Sequence, residues 1–228
     1  PPDHTRRVAS MFSRISPWYD LLNRTLSLGL DRSWRSRLVR AMDFPASRRV
    51  VDLAAGTMDV SRQLQLRKDR VQVLALDISP AMLSRGRKKT DPLRVQPVCA
   101  DAKRIPLPDH SVDCVSIAFG IRNILPREQA YAEILRILIP GGRLCILEFG
   151  SARQKIWAGA YNLYLTGILP VIGRLISRDP SAYTYLAETI THFPSAEELR
   201  QELLCAGFSR VDYESLTSGI VCLHIAVT

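Results

Sequence analysis

A chain of 228 residues with 46% hydrophobic and 23% charged residues has ordinary globular composition and is long enough to bury a sizeable core. Its net charge of +9 favours an anionic partner: nucleic acid, acidic lipid headgroups or a charged metabolite. The five cysteines (Cys99, Cys114, Cys145, Cys205, Cys222) form no close pair, which argues against a disulfide framework and against a zinc or other metal site, and predicts buried thiols in a reducing cytoplasm.

In chain order, "PPDHTRRVAS" at the start lacks the apolar core of a signal peptide. Residues 5–45 carry apolar side chains at helical spacing, interrupted near Gly29, and read as a helical N-terminal arm within residues 1–45. Eight arginines lie in the first 40 residues, against three acids. Strands are predicted at 49–54, 71–77, 94–101, 112–120 and 142–150, with helices between them at 57–68, 79–89 and 126–139. Strands apolar throughout and separated by helices indicate a parallel sheet covered on both faces. A helical stretch at 155–192 follows, within an inserted segment at 151–194. Ser195 with Glu198 three residues on opens a helix at 195–206. Two close strands, 209–217 and 220–228, read as a terminal antiparallel hairpin. The expectation is one α/β domain over 1–228: a Rossmann-like, mostly parallel seven-stranded sheet with helices on both faces.

Such sheets bind ligands at the carboxyl ends of their strands, where the strand order reverses. "VVDLAAGTMDV" (50–60) is the first of these ends. Asp52 closes the strand, Gly56 permits a turn closed to other residues, and Thr57 and Asp59 are positioned to cap the next helix. The loop lacks G-x-G-x-x-G, so dinucleotide binding is poorly supported, and a plain strand–helix turn would have the same shape. Asp77 ends the second strand, where an acid can bind two ribose hydroxyls. Asp101 ends the third, where an acid can accept from an adenine amino group. Each alone is an ordinary strand-end cap; three around one crevice point to a nucleoside.

These residues, with "AFGIRNI", "DPSAYTYLAETI", "YESLTSGIVCLH" and "SPWYDLLNRTLSLGLDRSWR", give a chain that resembles the S-adenosylmethionine-dependent C-methyltransferases of ubiquinone and menaquinone biosynthesis, demethylmenaquinone methyltransferases included, over nearly its whole length. The resemblance implies the class I methyltransferase fold, S-adenosylmethionine as cofactor and S-adenosylhomocysteine as product. It implies as acceptor a ring carbon of a polyprenyl quinol, either demethylmenaquinol or a ubiquinol precursor. By the same resemblance Thr57 meets the methionine part of the cofactor, Asp77 with Ile78 holds the ribose, and Asp101 with Ala102 flanks the adenine. Ala118 stands where several relatives have serine. The loop departs from the relatives' "GGTGD", and Met58 in place of glycine brings a side chain near the expected ligand. A left-handed Met58 would carry a penalty of roughly 1 kcal/mol.

Methylating a quinol carbon requires an aligned methyl donor, a hydroxyl that gives up its proton, and departure of a ring proton afterwards. Arg122 suits the developing phenolate and Asn123 can orient a hydroxyl or a water, beside the plainer reading of a salt-bridged Arg and a turn-forming Asn. Tyr19 is a further candidate from the arm, beside a simple core tyrosine. His192 reads as a surface histidine, Trp34 as a helix anchor and Asp109 as a turn residue. Glu148 ends the fifth strand at the same crevice, with no assigned role.

Residues 156–173 carry no charge, which touches the length of a membrane span. Asn162, Thr166, Pro170 and the following Arg174 argue for a buried helix or an apolar lid instead. A greasy quinol still requires access to the bilayer, and the arginine-rich arm suits peripheral docking on anionic lipid at the inner face of the membrane. The competing readings are another small aromatic or lipid acceptor, a non-catalytic complex partner that has lost the cofactor, and an RNA methyltransferase. The last finds no RNA-binding motif, so no nucleic-acid partner is expected. The sequence sets no oligomeric state, and a homo-oligomer is compatible with it.

Overall fold

The apolar runs become strands because each is buried on both sides. In the computed structural model, which describes residues 2–42, 49–67, 71–150 and 180–228, they are β1 (Arg49–Leu53), β2 (Gln72–Asp77), β3 (Val95–Cys99), β4 (Val112–Ala118), β5 (Leu138–Phe149), β6 (Arg210–Leu216) and β7 (Val221–Val227). They form one seven-stranded sheet in the order β3-β2-β1-β4-β5-β7-β6. The first five strands run parallel, while β7 pairs antiparallel with both β5 and β6. The predicted sheet and hairpin are therefore present, and the order reverses between β1 and β4.

The helices are α1 (Pro2–Ile15), α2 (Tyr19–Leu26), α3 (Asp31–Ala41), α4 (Asp59–Arg67), α5 (Pro80–Arg87), α6 (Arg127–Ile137), α7 (Pro180–Thr191) and α8 (Ala196–Ala206). Successive β residues point to opposite faces. Val51 and Leu53 pack with Tyr131 and Ile134 of α6 and with Leu199 and Leu203 of α8. Val50 faces the other way, into a cluster with Trp34 and Leu38 of α3, Leu64 of α4 and Leu83 of α5. Each such fully buried side chain contributes about 1.5–3 kcal/mol. Ser195 and Glu198 do form a capping box at the start of α8, and Gly207 (φ 115°) ends that helix in the left-handed conformation.

The structure departs from the sequence reading in several places. The arm is three helices rather than one interrupted helix, with breaks at Ser16–Trp18 and around left-handed Leu28 (φ 51°) and Gly29 (φ 80°). β5 starts at Leu138, directly after α6, because Leu138 pairs with Val112 before a register shift carries the strand on to Arg143 opposite Cys114. Cys99 and Cys205 are exposed, so the expectation of buried thiols holds only for Cys114, Cys145 and Cys222. Of the helical stretch predicted at 155–192, α7 is described; the uncharged run at 156–173 lies outside the described residues. Among the described residues no helix is long and apolar enough to cross a membrane.

Candidate active site

Reversal of strand order leaves the carboxyl ends of β1 and β4 diverging, and the loops there are strained. Ala54 (φ 54°), Gly56 (φ 54°) and Met58 (φ 59°) after β1, and Phe119 (φ 57°) after β4, are all left-handed. The conformation is free for glycine but costs about 1–2 kcal/mol for other residues. Met58 accordingly carries the anticipated penalty. Its side chain, however, does not approach the crevice: it is fully buried in the core cluster beside Leu64 and Leu83. The expectation of a methionine near the ligand is corrected, because a left-handed residue at that point aims its Cβ into the sheet–helix interface.

Asp52 at the end of β1 and Thr57 in the loop after it also face away from the crevice. The carboxylate of Asp52 is buried, accepting from the Ser61 amide (3.0 Å) and hydroxyl (2.6 Å) and from the Ser116 hydroxyl (3.1 Å). Ser61 lies in the first turn of α4, so Asp52 caps that helix from the strand, a task the sequence reading gave to Thr57 and Asp59. Burial raises the Asp52 carboxyl to about 6 despite the serine hydroxyls. The Thr57 hydroxyl donates to Asp20 of α2 at 2.5 Å. Lys89 bridges Asp20 (2.8 Å) and Asp59 (2.6 Å). Burial pushes the Asp20 carboxyl up, but Lys89 and Thr57 outweigh it and hold the group below the usual range. Nothing in sequence spacing pointed to Asp20 or Lys89; the network ties the arm to the β1 loop.

The crevice itself is a cleft with roughly 700 Å³ of empty space. Gly56, Asp77, Ile78, Asp101, Ala102 and Ala118 line it, as do Tyr19 and Asn123; α1 roofs it with Thr5, Val8 and Phe12. Asp77 accepts from the Gly56 amide (2.8 Å) and the Ser79 amide (2.8 Å), which fixes its carboxylate at the wall. Burial raises its pKa, and those amides oppose the rise. Asp101 accepts from the Lys103 amide at 3.0 Å and lies 3.6 Å from the Lys103 ammonium. That ammonium donates to Thr5 (2.8 Å) and to the Leu125 carbonyl (3.2 Å), so it fastens α1 over the cleft.

Arg122 does not line the cleft. It sits in the short turn after β4 (Ile121–Asn123), 9% exposed, where its Nη1 donates to Glu148 (2.5 Å) and to the Phe119 carbonyl (2.8 Å). Its guanidinium stacks over the Phe149 ring at 5.4 Å, and its charge acts on Tyr19. Burial raises the Tyr19 phenol above the ordinary range, with the Asn23 side chain, Arg35 and Arg122 opposing. Glu148, left without a role by sequence reasoning, is thus the counter-ion that holds Arg122. The Asn123 carbonyl lies 3.3 Å from His4 Nε2, while its side-chain Oδ1 is buried and, among the described residues, has no hydrogen-bond partner. The remaining residues stay plain: His192 is exposed, Trp34 is buried and donates to Thr217 (2.8 Å), and exposed Asp109 pairs with Arg136 (2.7 Å).

An acid at each of two neighbouring strand ends, apolar lining that includes Ala102, Val8 and Met82, and the amide oxygen of Asn123 suit a nucleoside and a polar group in one cleft. Similarity to known proteins runs over nearly the whole chain. A model of the ubiE/COQ5 methyltransferase family matches residues 3–228. The ubiquinone/menaquinone biosynthesis C-methyltransferase UbiE of Pseudomonas syringae pv. tomato is 40% identical over 223 residues, spanning 96% of this chain and 87% of that protein. The demethylmenaquinone methyltransferase of Thermus thermophilus is 43% identical over 217 residues, spanning 94% and 98%. Among solved structures, an S-adenosylmethionine-dependent methyltransferase from Thermotoga maritima superposes with a TM-score of 0.64 at 18% identity, over 95% of this chain and 99% of that one. The [4+2]-cyclase SpnF gives 0.71 at 16% identity, over 98% and 96%. These structural likenesses concern the fold alone.

Proposed function

The chain belongs to the ubiE/COQ5 methyltransferase family and is an S-adenosylmethionine-dependent C-methyltransferase of quinone biosynthesis; from that premise we propose that it methylates a ring carbon of a reduced polyprenyl quinol at the cleft beneath α1. The observation that carries this reading is the convergence of Asp77, Asp101, Tyr19 and Asn123 on one cleft, with Arg122 held by Glu148 at its margin.

When bound, S-adenosylmethionine supplies a methyl group on a cationic sulfur. The chain's own residues would hold it as follows. Asp77, oriented by two amides, keeps lone pairs for ribose hydroxyls. Asp101 and Ala102 flank the adenine. Ile78 and Ala118 contribute walls and backbone, and Gly56 lets the loop run close to the ligand. Asp52 and Thr57 act from behind, Asp52 by anchoring α4 and Thr57 by anchoring Asp20.

For the acceptor, the ring carbon becomes nucleophilic when its hydroxyl loses a proton. The buried Arg122 charge stabilises that phenolate, in a setting where water screens little. Tyr19 stays protonated and donates, and Asn123 Oδ1 orients a hydroxyl. The test is transfer of a labelled methyl group to reduced demethylmenaquinone, compared with a benzoquinol and bulk RNA. The reading predicts label in the quinol ring alone and none in the oxidised quinone; label in RNA, or in neither quinol, would overturn it.

A second element of the reading concerns where the enzyme works. Trp18, Leu21, Leu28 and Leu30 are exposed on the arm, beside the exposed Arg14, Arg24 and Arg32. Exposed apolar side chains and arginines on one arm suit an anionic bilayer surface. The arm also roofs the cleft, so docking there would bring the entrance to the lipid-borne substrate. The inferred location is the cytoplasmic face of the membrane.

A further inference from the structure

Tyr185 lies in "DPSAYTYLAETI" (179–190), a stretch that the cleft leaves without a task. Its helix, α7, packs against the 121–123 turn that carries Arg122. Tyr185 joins Phe12, Tyr19 and Phe149 around one apolar cluster, and the Phe149 ring in turn stacks on the Arg122 guanidinium. Two polar atoms bordering this patch are buried and, among the described residues, have no hydrogen-bond partner: the Tyr185 hydroxyl and Arg122 Nε. Glu148 and the Phe119 carbonyl engage Nη1 of Arg122 and leave Nε open. Buried donors without acceptors are unfavourable and uncommon, and two of them flanking the Phe149 ring point to a group that completes them. Both atoms are donors and one belongs to a cation, so the missing partner is an anionic oxygen. The surroundings are aromatic, so that oxygen belongs to a flat apolar body.

We propose that Tyr185 is a catalytic residue which, together with Arg122 Nε, donates to the phenolate oxygen of the acceptor ring. The proposal rests on the aromatic-acceptor reading above and adds a residue and a binding mode to it. Burial raises the Tyr185 phenol above the ordinary tyrosine range, with only Arg122 opposing, so Tyr185 keeps its proton and acts as donor rather than base. The acceptor's own phenolic proton passes to water as the anion forms. The cradle also sets specificity: a ring with a free hydroxyl is accepted, and its O-methylated analogue is not.

Two measurements on the whole enzyme saturated with S-adenosylhomocysteine or S-adenosylmethionine test this. The first uses 4-nitrophenol, coloured only as the anion, to read the ionisation of a bound phenol. Wild type should lower the bound probe's pKa by about one unit, a tenfold shift in ionisation, and Tyr185→Phe should lose at least half of that shift. The second is turnover with reduced demethylmenaquinone, where Tyr185→Phe should lower kcat about ten- to a hundredfold, the usual range for losing a hydrogen bond to a charged group. Tyr185→His, which restores a donor on a flat ring, should recover part of both. A Tyr185→Phe enzyme with wild-type probe pKa and wild-type kcat would overturn the proposal while leaving the quinol reading intact. A wild type that methylates no quinol but still shows the Tyr185-dependent probe shift would do the reverse.

Discussion

Met58 and Gly86 are two halves of one contact. A Cβ placed on Gly86 would lie 2.6 Å from Met58 Cε, 2.7 Å from its Cγ and 2.9 Å from its Cβ. The side chain that replaces the relatives' loop glycine therefore lies over a helix position that has none. Gly86→Ala should lower stability by about 1–3 kcal/mol through overpacking, although alanine is the better helix former by roughly 1 kcal/mol. Met58→Ala should cost about 2–5 kcal/mol, as for other buried large-to-small changes. The double variant should cost less than the two changes summed, because the new Cβ fills part of the cavity. Urea unfolding of the four proteins measures this coupling. Titration calorimetry should find S-adenosylhomocysteine affinity little changed in Met58→Ala, since the side chain faces the core.

Asp52 makes stability depend on pH in an unusual direction. Its folded pKa of about 6 stands above the unfolded value of 3.8. The folded state thus binds the extra proton, and this contribution is complete below pH 3.8 and lost as pH rises through 6. The shift corresponds to roughly 3 kcal/mol. In Asp52→Asn the decline in urea midpoint between those two pH values should flatten relative to wild type; parallel profiles would show that Asp52 titrates normally.

Asp77 is expected to set cofactor affinity. Asp77→Asn keeps the size of the side chain but removes its charge, and one of its two contacts to the Gly56 and Ser79 amides becomes a donor facing a donor. S-adenosylhomocysteine affinity should fall about ten- to a hundredfold, in line with losing charge-assisted hydrogen bonds. Calorimetry showing wild-type affinity would assign the ribose to another group.

Glu148 holds the Arg122 charge in place. Glu148→Gln leaves a buried guanidinium without its counter-ion, and stability should drop by about 3–5 kcal/mol. Glu148→Gln with Arg122→Met should be less damaging to stability than Glu148→Gln alone, yet should abolish turnover. Thermal melts and the labelled-methyl assay together separate the two effects.

The arm should bind anionic vesicles. Trp18→Ala with Leu21→Asp removes two exposed apolar anchors without touching the cleft lining. Sedimentation with phosphatidylglycerol vesicles at low salt should fall, while turnover of a short-tailed soluble quinol stays unchanged. Wild type that fails to sediment with the vesicles would end the docking idea.

Local chemistry was enough to place the sheet and most of the cleft. β1 to β4 read as apolar runs closed by a polar residue or a turn, and the strand-end acids at 77 and 101 flank one cleft because parallel strands point their ends the same way. Asp52 and Thr57 were visible as polar residues in the right loop, but sequence does not show which way a strand-end side chain turns. Asp52 turns inward because Val50 and Asp52 share one face, beneath α4.

The amino-acid order by itself determined the fold class, the strand ends that flank the cleft and the family, since these depend on periodicity, turn residues and motifs a few positions long. Tertiary structure alone decided which partners the charged groups chose. Glu148 meets Arg122, Lys89 joins Asp20 to Asp59, and Tyr185 comes near Arg122, across separations in the chain that no local pattern spans. The physical reason is that an ion pair or a buried donor is specified by the distance between atoms, and only the folded sheet sets that distance.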